Sequence, residues 1–151
     1  MSRTIAIIYG GFSGERVISE KSAKVVQKYL KADSYRTYLV DIAEDGWWYQ
    51  DKNSRLPVDK NDFSLLIQGE KINFDGVFCA IHGTPGEDGK IQGYFDAIGV
   101  PYNNCGVLAS SLTFNKSACN RYLKASGVNV AKSYIARLGE SFKEDEIVAR
   151  V

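Results

Sequence analysis

The sequence has few of the residues that usually mark a metal centre or a disulfide framework. Its 151 residues include one histidine and three cysteines, Cys79, Cys105 and Cys119. An odd number of cysteines without Cys-x-x-Cys spacing predicts buried, reduced thiols and a cytoplasmic protein. None of the three has a neighbouring histidine, which argues against a cysteine nucleophile. The lack of a second histidine or a cysteine pair also argues against zinc, so we expect no metal site in this chain.

Charge and hydropathy are not extreme. Lysine and arginine number 19 against 18 aspartates and glutamates, which leaves a formal net charge of +1. This balance predicts neither a nucleic acid nor a membrane surface as a partner. No apolar run approaches the roughly 20 residues of a membrane span, and the amino terminus lacks the features of a signal peptide. With 44% hydrophobic residues, the composition is that of a globular domain.

The spacing of apolar residues predicts an α/β fold, with a Rossmann-like parallel sheet flanked by helices. The predicted strands are residues 3–9, 35–40, 76–81, 100–102 and a segment that begins at 134–135. The predicted helices begin near Ser13, cover residues 88–98 and 107–112, run from Asn115 to Gly127, and cover residues 140–151. Residues 43–75 predict a small β-hairpin insert. The predicted core face of the first helix comprises Ile18, Ser22, Val25, Val26 and Tyr29.

Two polar loops follow predicted strands, at the edge of a parallel sheet where open α/β folds bind small molecules. The first is Gly10-Gly11-Phe12-Ser13-Gly14-Glu15, which lacks the P-loop ending and the glycine spacing of a dinucleotide site. Its acid, Glu15, either complements the helix dipole or receives an ammonium group. The second loop starts at His82, the only histidine. This imidazole is either structural or points into the crevice, where it can donate or accept a hydrogen bond.

Three motifs, taken in order, resemble the N-terminal domain of the D-alanine–D-alanine ligase family of the ATP-grasp superfamily. They are Tyr9-Gly10-Gly11-Phe12-Ser13-Gly14-Glu15-Arg16-Val17-Ile18-Ser19, then His82-Gly83-Thr84-Pro85-Gly86-Glu87-Asp88-Gly89-Lys90-Ile91-Gln92-Gly93, then Val100-Pro101-Tyr102 with Ala109-Ser110-Ser111-Leu112-Thr113-Phe114-Asn115-Lys116. Departures from the family pattern occur at Arg16, at Asn103-Asn104-Cys105 and at Phe114-Asn115. These departures bear on hinge and loop packing rather than on the charges that would meet a ligand.

The resemblance implies an enzyme of peptidoglycan precursor synthesis that uses ATP and Mg²⁺ to join two D-alanines through an acylphosphate. It implies that Glu15 is the catalytic and substrate-binding residue that meets the ammonium of the first D-alanine. It further implies that Ile18 contacts the methyl group of that D-alanine and that His82 is a polar wall of the same subsite. Lys116 is implied to reach a nucleotide phosphate.

The family's enzymes are considerably longer than this chain. The resemblance therefore implies that residues 1–113 are a pre-ATP-grasp N-terminal substrate domain, and that residues 114–151 are the start of a truncated ATP-grasp domain. We expect the chain on its own to be inactive and to bind no cofactor. The resemblance also implies a homodimer formed through this domain, for which Trp47 and Trp48 are candidate contacts.

Other functions stay open at this point. The chain can belong to a variant ligase that joins D-alanine to D-lactate or D-serine, because the residues that decide the second substrate mostly lie outside it. Alternatively it is a stand-alone, non-catalytic α/β binding module, which predicts a natural stop codon after Val151. A Rossmann-type oxidoreductase is disfavoured because the glycine spacing is wrong.

Overall fold

The computed structural model describes residues 2–30, 32–51, 54–141 and 143–149. The strands are β1 (Arg3–Gly10), β2 (Tyr35–Ala43), β3 (Gly46–Asp51), β4 (Ser54–Asp59), β5 (Ser64–Ile67), β6 (Glu70–Ile72) and β7 (Gly76–Cys79). The helices are α1 (Arg16–Tyr29), α2 (Lys90–Ile98), α3 (Val107–Phe114), α4 (Lys116–Ala125) and α5 (Glu144–Val148). Within the described ranges, no helix is long and apolar enough to cross a membrane.

The strands form one mixed sheet in the order β6-β5-β4-β3-β2-β1-β7. The parallel half consists of β2, β1 and β7, with β1 in the middle. The antiparallel half consists of β3 to β6, and β3 joins it to β2. The predicted α/β fold is confirmed. The hairpins predicted for residues 43–75 are also present, and they extend the same sheet.

An aromatic cluster of Trp47, Phe63, Tyr94 and Phe95 packs α2 against the antiparallel half. The ring centroids of Phe63 and Phe95 are 4.9 Å apart, and those of Trp47 and Tyr94 are 4.7 Å apart. Phe63 is fully buried, and burial of a side chain of this size contributes roughly 1.5–3 kcal/mol. Helix α2 therefore presents Tyr94 and Phe95 to the core.

A second hydrophobic cluster lies under α1 and corrects the predicted core face of that helix. Ile7 of β1, Ala23 of α1 and Ala80 form its buried centre. The residues of α1 that are buried are Ser19 and Ala23. Of the predicted core face, Val26 packs against this cluster, Ser22 is half-buried, and Ile18, Val25 and Tyr29 are exposed. Small side chains at the sheet-facing positions let the helix axis approach the strands closely, and spacing alone does not reveal this.

The first helix begins at Arg16 rather than near Ser13. Ser13 lies in the preceding turn, where its Oγ donates to the backbone carbonyl of His82 at 2.8 Å. Glu15 is the residue that precedes the helix, and its side chain makes no capping hydrogen bond. Serine is a residue type that commonly caps helices, but Ser13 does not cap α1. Its hydroxyl group instead donates to a residue that is distant in the sequence, His82.

The carboxyl-terminal predictions are partly wrong. Asn115 caps α4 as predicted, because its side chain accepts a hydrogen bond from the backbone N–H of Ala118 at 3.0 Å. Residues 100–102 form only one β-bridge, between Tyr102 and Val77. Residues 134–135 form no strand, because no strand pairs with them in the described part of the chain. The helix predicted for residues 140–151 is limited to α5, and residues 142, 150 and 151 lie outside the described ranges.

Candidate functional site

The loop of residues 10–15, named the glycine loop here, is held close to β2 and to the loop after β7. Gly10 and Gly11 have φ values of +97° and +88°. A Cβ atom on Gly10 would lie 2.5 Å from Asp41 Oδ1, so only glycine fits at this position. The N–H of Gly11 donates to the carbonyl of Ile42 at 2.8 Å, and the N–H of Phe12 donates to that of Thr84 at 2.9 Å.

Arg16 fastens the same loop from the side of α1. Its guanidinium donates to both carboxylate oxygens of Asp41 at 2.6 Å and to the carbonyl of Ile42 at 3.2 Å. One guanidinium nitrogen makes both contacts to the carboxylate and the other bonds to the backbone carbonyl, and hydrogen bonds between charged groups of this kind are stronger than those between neutral groups. Arg16 was the departure assigned to loop packing rather than to ligand binding, and its contacts agree with that assignment.

Three serines fix the chain where it leaves β7. Ser19 Oγ accepts a hydrogen bond from the N–H of Gly10 and donates to the carbonyl of Ala80, both at 2.9 Å. Ser13 holds the carbonyl of His82, as described above. Ser22 Oγ lies 3.2 Å from Nε2 of the His82 ring. Both the backbone and the ring of His82 are therefore positioned by the glycine loop and α1.

The segment of residues 80–89, named the histidine loop here, is also braced internally. Glu87 Oε2 accepts from the N–H of Gly83 at 2.8 Å. The buried side chain of Gln92 donates to the carbonyl of Gly86 at 2.6 Å, and Asn104 donates to the same oxygen at 3.1 Å. Because the loop's polar groups are largely bonded to one another, its shape does not depend on a ligand.

Asp88 joins the histidine loop to the start of α2. Its carboxylate accepts from Thr84 Oγ1 at 2.7 Å and forms an ion pair with Lys90 at 2.6 Å. Burial of the carboxylate acts to raise the pKa of Asp88, but hydrogen bonds from Lys90 and Thr84 outweigh burial and lower it. Asp88 is therefore an ionised group that organises the loop.

A cavity of about 590 Å³ opens beside the two loops. Its walls come from the glycine loop, the histidine loop, the turn after residue 102, and the helices α3 and α4. The lining residues are Glu15, Gly86, Glu87, Asn103, Asn104, Cys105, Ser110, Thr113, Phe114 and Lys116. Two residues predicted from the sequence, Glu15 and Lys116, thus meet at one cavity. The other two, Ile18 and His82, are not among the lining residues.

Glu15 lies where the glycine loop meets the histidine loop. A Cβ atom on Gly83 would be 3.7 Å from Glu15 Oε2, so the carboxylate is next to the residue that follows His82. Within the described residues, no group donates a hydrogen bond to this carboxylate. Ile18 lies one turn further along α1 and is 50% exposed. The spacing of Glu15, Ile18 and Ser22 places them on one face of the helix, and Ser22 contacts the His82 ring.

Lys116 approaches the cavity from the first turn of α4. The N-terminus of a helix carries a partial positive charge, which makes a lysine there mildly unfavourable unless an anion is bound. The first turn of α4 contains no acidic residue, and no carboxylate in the described part of the chain forms an ion pair with Lys116. The side chain and the helix end together favour a phosphate or a carboxylate.

Several cavity residues were not predicted as site residues. Asn103 Oδ1 accepts from the N–H of Cys79 at 2.8 Å, and Ser110 Oγ donates to the carbonyl of Cys105 at 3.0 Å. In the sequence, Asn103 is marked as a site residue only by the pair of asparagines that follows an apolar segment, and no such feature marks Ser110. Across the described residues, no group of three His, Cys, Asp or Glu side chains is placed to hold a metal ion.

The cysteine prediction is right about free thiols and wrong about full burial. All three thiols are free, but Cys79 and Cys119 are half-buried and Cys105 is exposed. Partial burial still raises the pKa of the Cys79 thiol. Cys105 is exposed because it lies in the turn at the cavity wall between Tyr102 and α3.

Comparisons with known proteins give consistent results. The family model described as D-ala D-ala ligase N-terminus matches residues 4–105. The chain is 43% identical to the D-alanine–D-alanine ligase of Bacteroides thetaiotaomicron, and the similarity covers 100% of this chain and 47% of that protein. The chain therefore spans about half the length of this relative.

Solved structures show the same fold. D-alanyl-alanine synthetase A from Vibrio cholerae superposes with a TM-score of 0.73 at 32% identity, over 82% of this chain and 37% of that one. A D-Ala:D-Ser ligase from Enterococcus faecalis superposes with a TM-score of 0.75 at 26% identity, over 87% of this chain and 44% of that one.

Proposed function

We propose that this chain, which belongs to the D-ala D-ala ligase N-terminus family, is the amino-terminal part of an ATP-dependent ligase that joins two D-alanine molecules. The observation that carries the proposal is that Glu15, whose carboxylate accepts no hydrogen bond within the described residues, lines the same cavity as Lys116. An amino acid that reacts through its carboxylate needs a counter-charge for its ammonium group and a cation near the transferred phosphate. The two residues provide these two charges at one cavity.

Glu15 binds the ammonium group of the first D-alanine in this proposal. An ammonium removed from water is costly unless it is paired, and a hydrogen bond to a charged group contributes roughly 1.5–3 kcal/mol. Within the described residues no group bonds to the carboxylate beside Gly83, so it can pair with the ammonium without breaking a contact. Ile18, on the face of α1 that follows Glu15, contacts the methyl group. His82, whose ring contacts Ser22 on the same face, forms a polar wall. The exposure of Ile18 supports this role, since an unused apolar side chain is available to a small substrate.

The residues present fit the phosphate groups of ATP but not the metal ion. Lys116 and the N-terminus of α4 would hold a phosphate, and when bound ATP supplies the phosphoryl group that activates the substrate carboxylate. At phosphate sites Mg²⁺ is bound by one or two carboxylates together with phosphate oxygens and water. Both carboxylates at the cavity have another role, because Glu87 accepts from the N–H of Gly83 and Glu15 is assigned to the ammonium group. The described residues contain no cluster of three possible metal ligands. We assign the Mg²⁺ ligands to the part of the ligase that this chain lacks.

We further propose the domain division that the family resemblance implies, in which residues 1–113 are the pre-ATP-grasp substrate domain and residues 114–151 begin the ATP-grasp domain. The cavity is lined from both sides of this boundary, by Glu15 before it and by Lys116 after it. The chain on its own therefore has one wall of the site and no turnover. We place the complete enzyme in the cytoplasm, where it acts in peptidoglycan precursor synthesis.

We also propose that the complete enzyme is a homodimer, although the two tryptophans are not equivalent candidates for its interface. Trp47 is part of the aromatic cluster. Trp48 is covered by the guanidinium of Arg55, 4.1 Å from its ring, and bonds to Asp45. Sedimentation equilibrium of the full-length protein tests the dimer, and Trp48→Ala tests the interface.

The decisive experiment uses the full-length protein with ATP, Mg²⁺ and D-alanine. We expect phosphate release that depends on D-alanine, together with a dipeptide seen by mass spectrometry. The matched control is the 151-residue chain, which should release none. Full-length protein that binds but does not turn over would instead support the non-catalytic binding module.

The specific alternative is a ligase whose second substrate is not D-alanine, because one solved relative is a D-Ala:D-Ser ligase. The same assay with D-serine or D-lactate beside D-alanine distinguishes these ligases. Preferential formation of a mixed product would replace the second D-alanine in the proposal while leaving the role of Glu15 intact.

A further inference from the structure

In the hydrogen bond between Ser22 and His82, either group can be the donor, and the hydrogen bonds of neighbouring residues indicate which one is. Ser22 lies in the middle of α1, one turn after Ser19, and its Oγ is 3.2 Å from Nε2 of the imidazole in a partly buried setting. Either atom can donate, depending on which ring nitrogen carries the hydrogen. The question is therefore where the hydroxyl hydrogen of Ser22 goes.

Helical serines and threonines commonly donate this hydrogen to the carbonyl four residues earlier. Thr113 does so to Ala109 at 2.7 Å, and Ser126 does so to Tyr122 at 3.0 Å. Ser22 differs, because over the described ranges no backbone carbonyl accepts from its hydroxyl. Nε2 of His82 is the acceptor that remains within hydrogen-bonding distance.

We propose that Ser22 is a positioning residue that donates to His82 Nε2 and so holds the neutral ring in the form protonated at Nδ1. A neutral imidazole carries one hydrogen, so an accepting Nε2 requires a donating Nδ1. The carbonyl of His82 accepts a hydrogen bond from Ser13 Oγ at 2.8 Å, and the N–H of the next residue, Gly83, donates to Glu87 Oε2 at 2.8 Å. The ring therefore keeps both its place and its orientation.

The functional consequence rests on the proposed function of the site. With Nε2 occupied by Ser22, the second ring nitrogen of His82 is an N–H donor. His82 does not line the cavity beside Glu15, so its role toward a substrate is the one assigned to it under the proposed function, where an N–H group suits an oxygen atom of the substrate. A ring in the other tautomer would present an acceptor there. Ser22 thus determines whether His82 offers a donor or an acceptor to a substrate, although Ser22 does not contact the substrate itself.

The chain's single histidine makes the test direct, because one imidazole gives one set of ring signals. Long-range ¹H–¹⁵N spectra of the 151-residue protein are recorded at about pH 8.5, roughly two units above the ordinary histidine value, so that the ring is neutral. We expect Nε2 to resonate as an unprotonated nitrogen and Nδ1 as a protonated one. A protonated Nε2 in this spectrum would overturn the proposal.

Three variants distinguish the effect of the Ser22 hydroxyl group on the tautomer from any effect on the fold. Ser22→Ala should move the ring nitrogens toward the Nε2-protonated form that free imidazole side chains favour, and Ser22→Thr should restore the wild-type pattern. Ser126→Ala is the matched control, since it removes a helical hydroxyl far from the ring and should leave the spectrum unchanged. A Ser22→Ala spectrum identical to wild type contradicts the proposal. Should that variant not fold, the wild-type and Ser22→Thr spectra still decide.

A kinetic measurement adds the functional readout without confusing the two proposals. In the full-length enzyme, Ser22→Ala should raise KM for D-alanine several-fold with a smaller change in kcat, and Ser22→Thr should recover most of it. If the full-length protein has no ligase activity, the proposed function fails while the tautomer result stands. If the activity is present and the spectra are unaffected, the positioning role of Ser22 fails alone.

Discussion

The two halves of the sheet use different side-chain chemistry. In the antiparallel half, buried aromatic and aliphatic groups fill the space between the strands and α2. In the parallel half, the carboxyl ends of β1 and β7 lead into the glycine loop and the histidine loop, which serine, arginine and carboxylate side chains hold together. Loss of volume is the damaging change in the first region, and loss of a donor or an acceptor is the damaging change in the second.

The titratable groups of the two regions reflect the same division. Burial raises the pKa of Tyr94 in the aromatic cluster to about 12, and the nearby carboxylates of Asp62 and Asp59 add to the effect. Asp88 in the histidine loop has a lowered pKa. Tyr94 in the aromatic cluster is therefore neutral, whereas Asp88 in the histidine loop is charged.

The largest expected effect is on the stability of the antiparallel half. Phe63 is fully buried among aromatic rings, so Phe63→Ala should lower the free energy of unfolding by about 3–5 kcal/mol. Phe12→Ala is the matched control, because Phe12 lies in the glycine loop and is 46% exposed. Urea denaturation followed by circular dichroism measures both. Equal losses for the two variants would show that the loop side contributes as much packing as the core side.

The next effect tests whether the histidine loop depends on close backbone approach. Gly89 has a φ of +89°, and a Cβ atom on it would collide with Ser111, whose Oγ donates to the carbonyl of Asp88 at 2.9 Å. Gly89→Ala should cost about 1–2 kcal/mol for the left-handed backbone and about 1 kcal/mol more for the displaced hydrogen bond. Gly99→Ala shares the positive φ but meets open space. Identical unfolding free energies for the two variants would show that the collision with Ser111 costs no stability.

Glu15→Gln addresses function rather than stability. In the full-length enzyme this substitution keeps the size of the side chain and removes the charge that pairs with the ammonium group. We expect catalytic efficiency to fall about tenfold to a hundredfold, with little change in thermal stability because the carboxylate has no partner within the described residues. Glu20→Gln is the control, since the ion pair that Glu20 forms in the described part of the chain is with the exposed Lys24 on α1. Unchanged kinetics in Glu15→Gln would refute the ammonium assignment.

Most of what was predicted correctly from the sequence depends on short-range pattern. The strands β1 and β2, the apolar face of α2 and the cap at Asn115 follow from apolar spacing and from residues that act on their immediate neighbours. The positions of the two loops follow from the ends of β1 and β7. These features therefore require no knowledge of the rest of the fold.

The wrong predictions share a tertiary cause. The rotation of α1 is set by Ser19, which bonds to Gly10 at the end of β1 and to Ala80 just after β7. The true start of α1 depends on the contact between Ser13 and His82. The exposure of Cys105 and the missing strand at residues 134–135 depend on which neighbours are available. Within the site, Glu15 and Lys116 carry charges that indicate a ligand. Asn103 and Ser110 reach the cavity only because of the turns around them, so composition and spacing give little sign of them.

The smallest expected effect tests the charge that the histidine loop retains. A carboxyl group whose pKa is lower in the folded state than in the unfolded state stabilises the fold above the unfolded value, about 3.9 for aspartate, and the stabilisation is lost as the pH falls through the folded value. Asp88→Asn should lower the free energy of unfolding at pH 7 by at most about 1 kcal/mol, because its partner Lys90 is exposed and screened by solvent.

The difference between the wild-type protein and Asp88→Asn should shrink below about pH 4, where the wild-type carboxylate also loses its charge. Urea denaturation at pH 7, 5 and 3 measures this pH dependence. Lys90→Met is the matched variant, because it removes the ion pair with Asp88 while keeping the carboxylate, and it should show a smaller loss with the same trend. A difference that stays constant across this range would mean that Asp88 acts through the shape of the loop rather than through its charge, and the contrast between a charged loop side and a neutral core side would then lose its electrostatic basis.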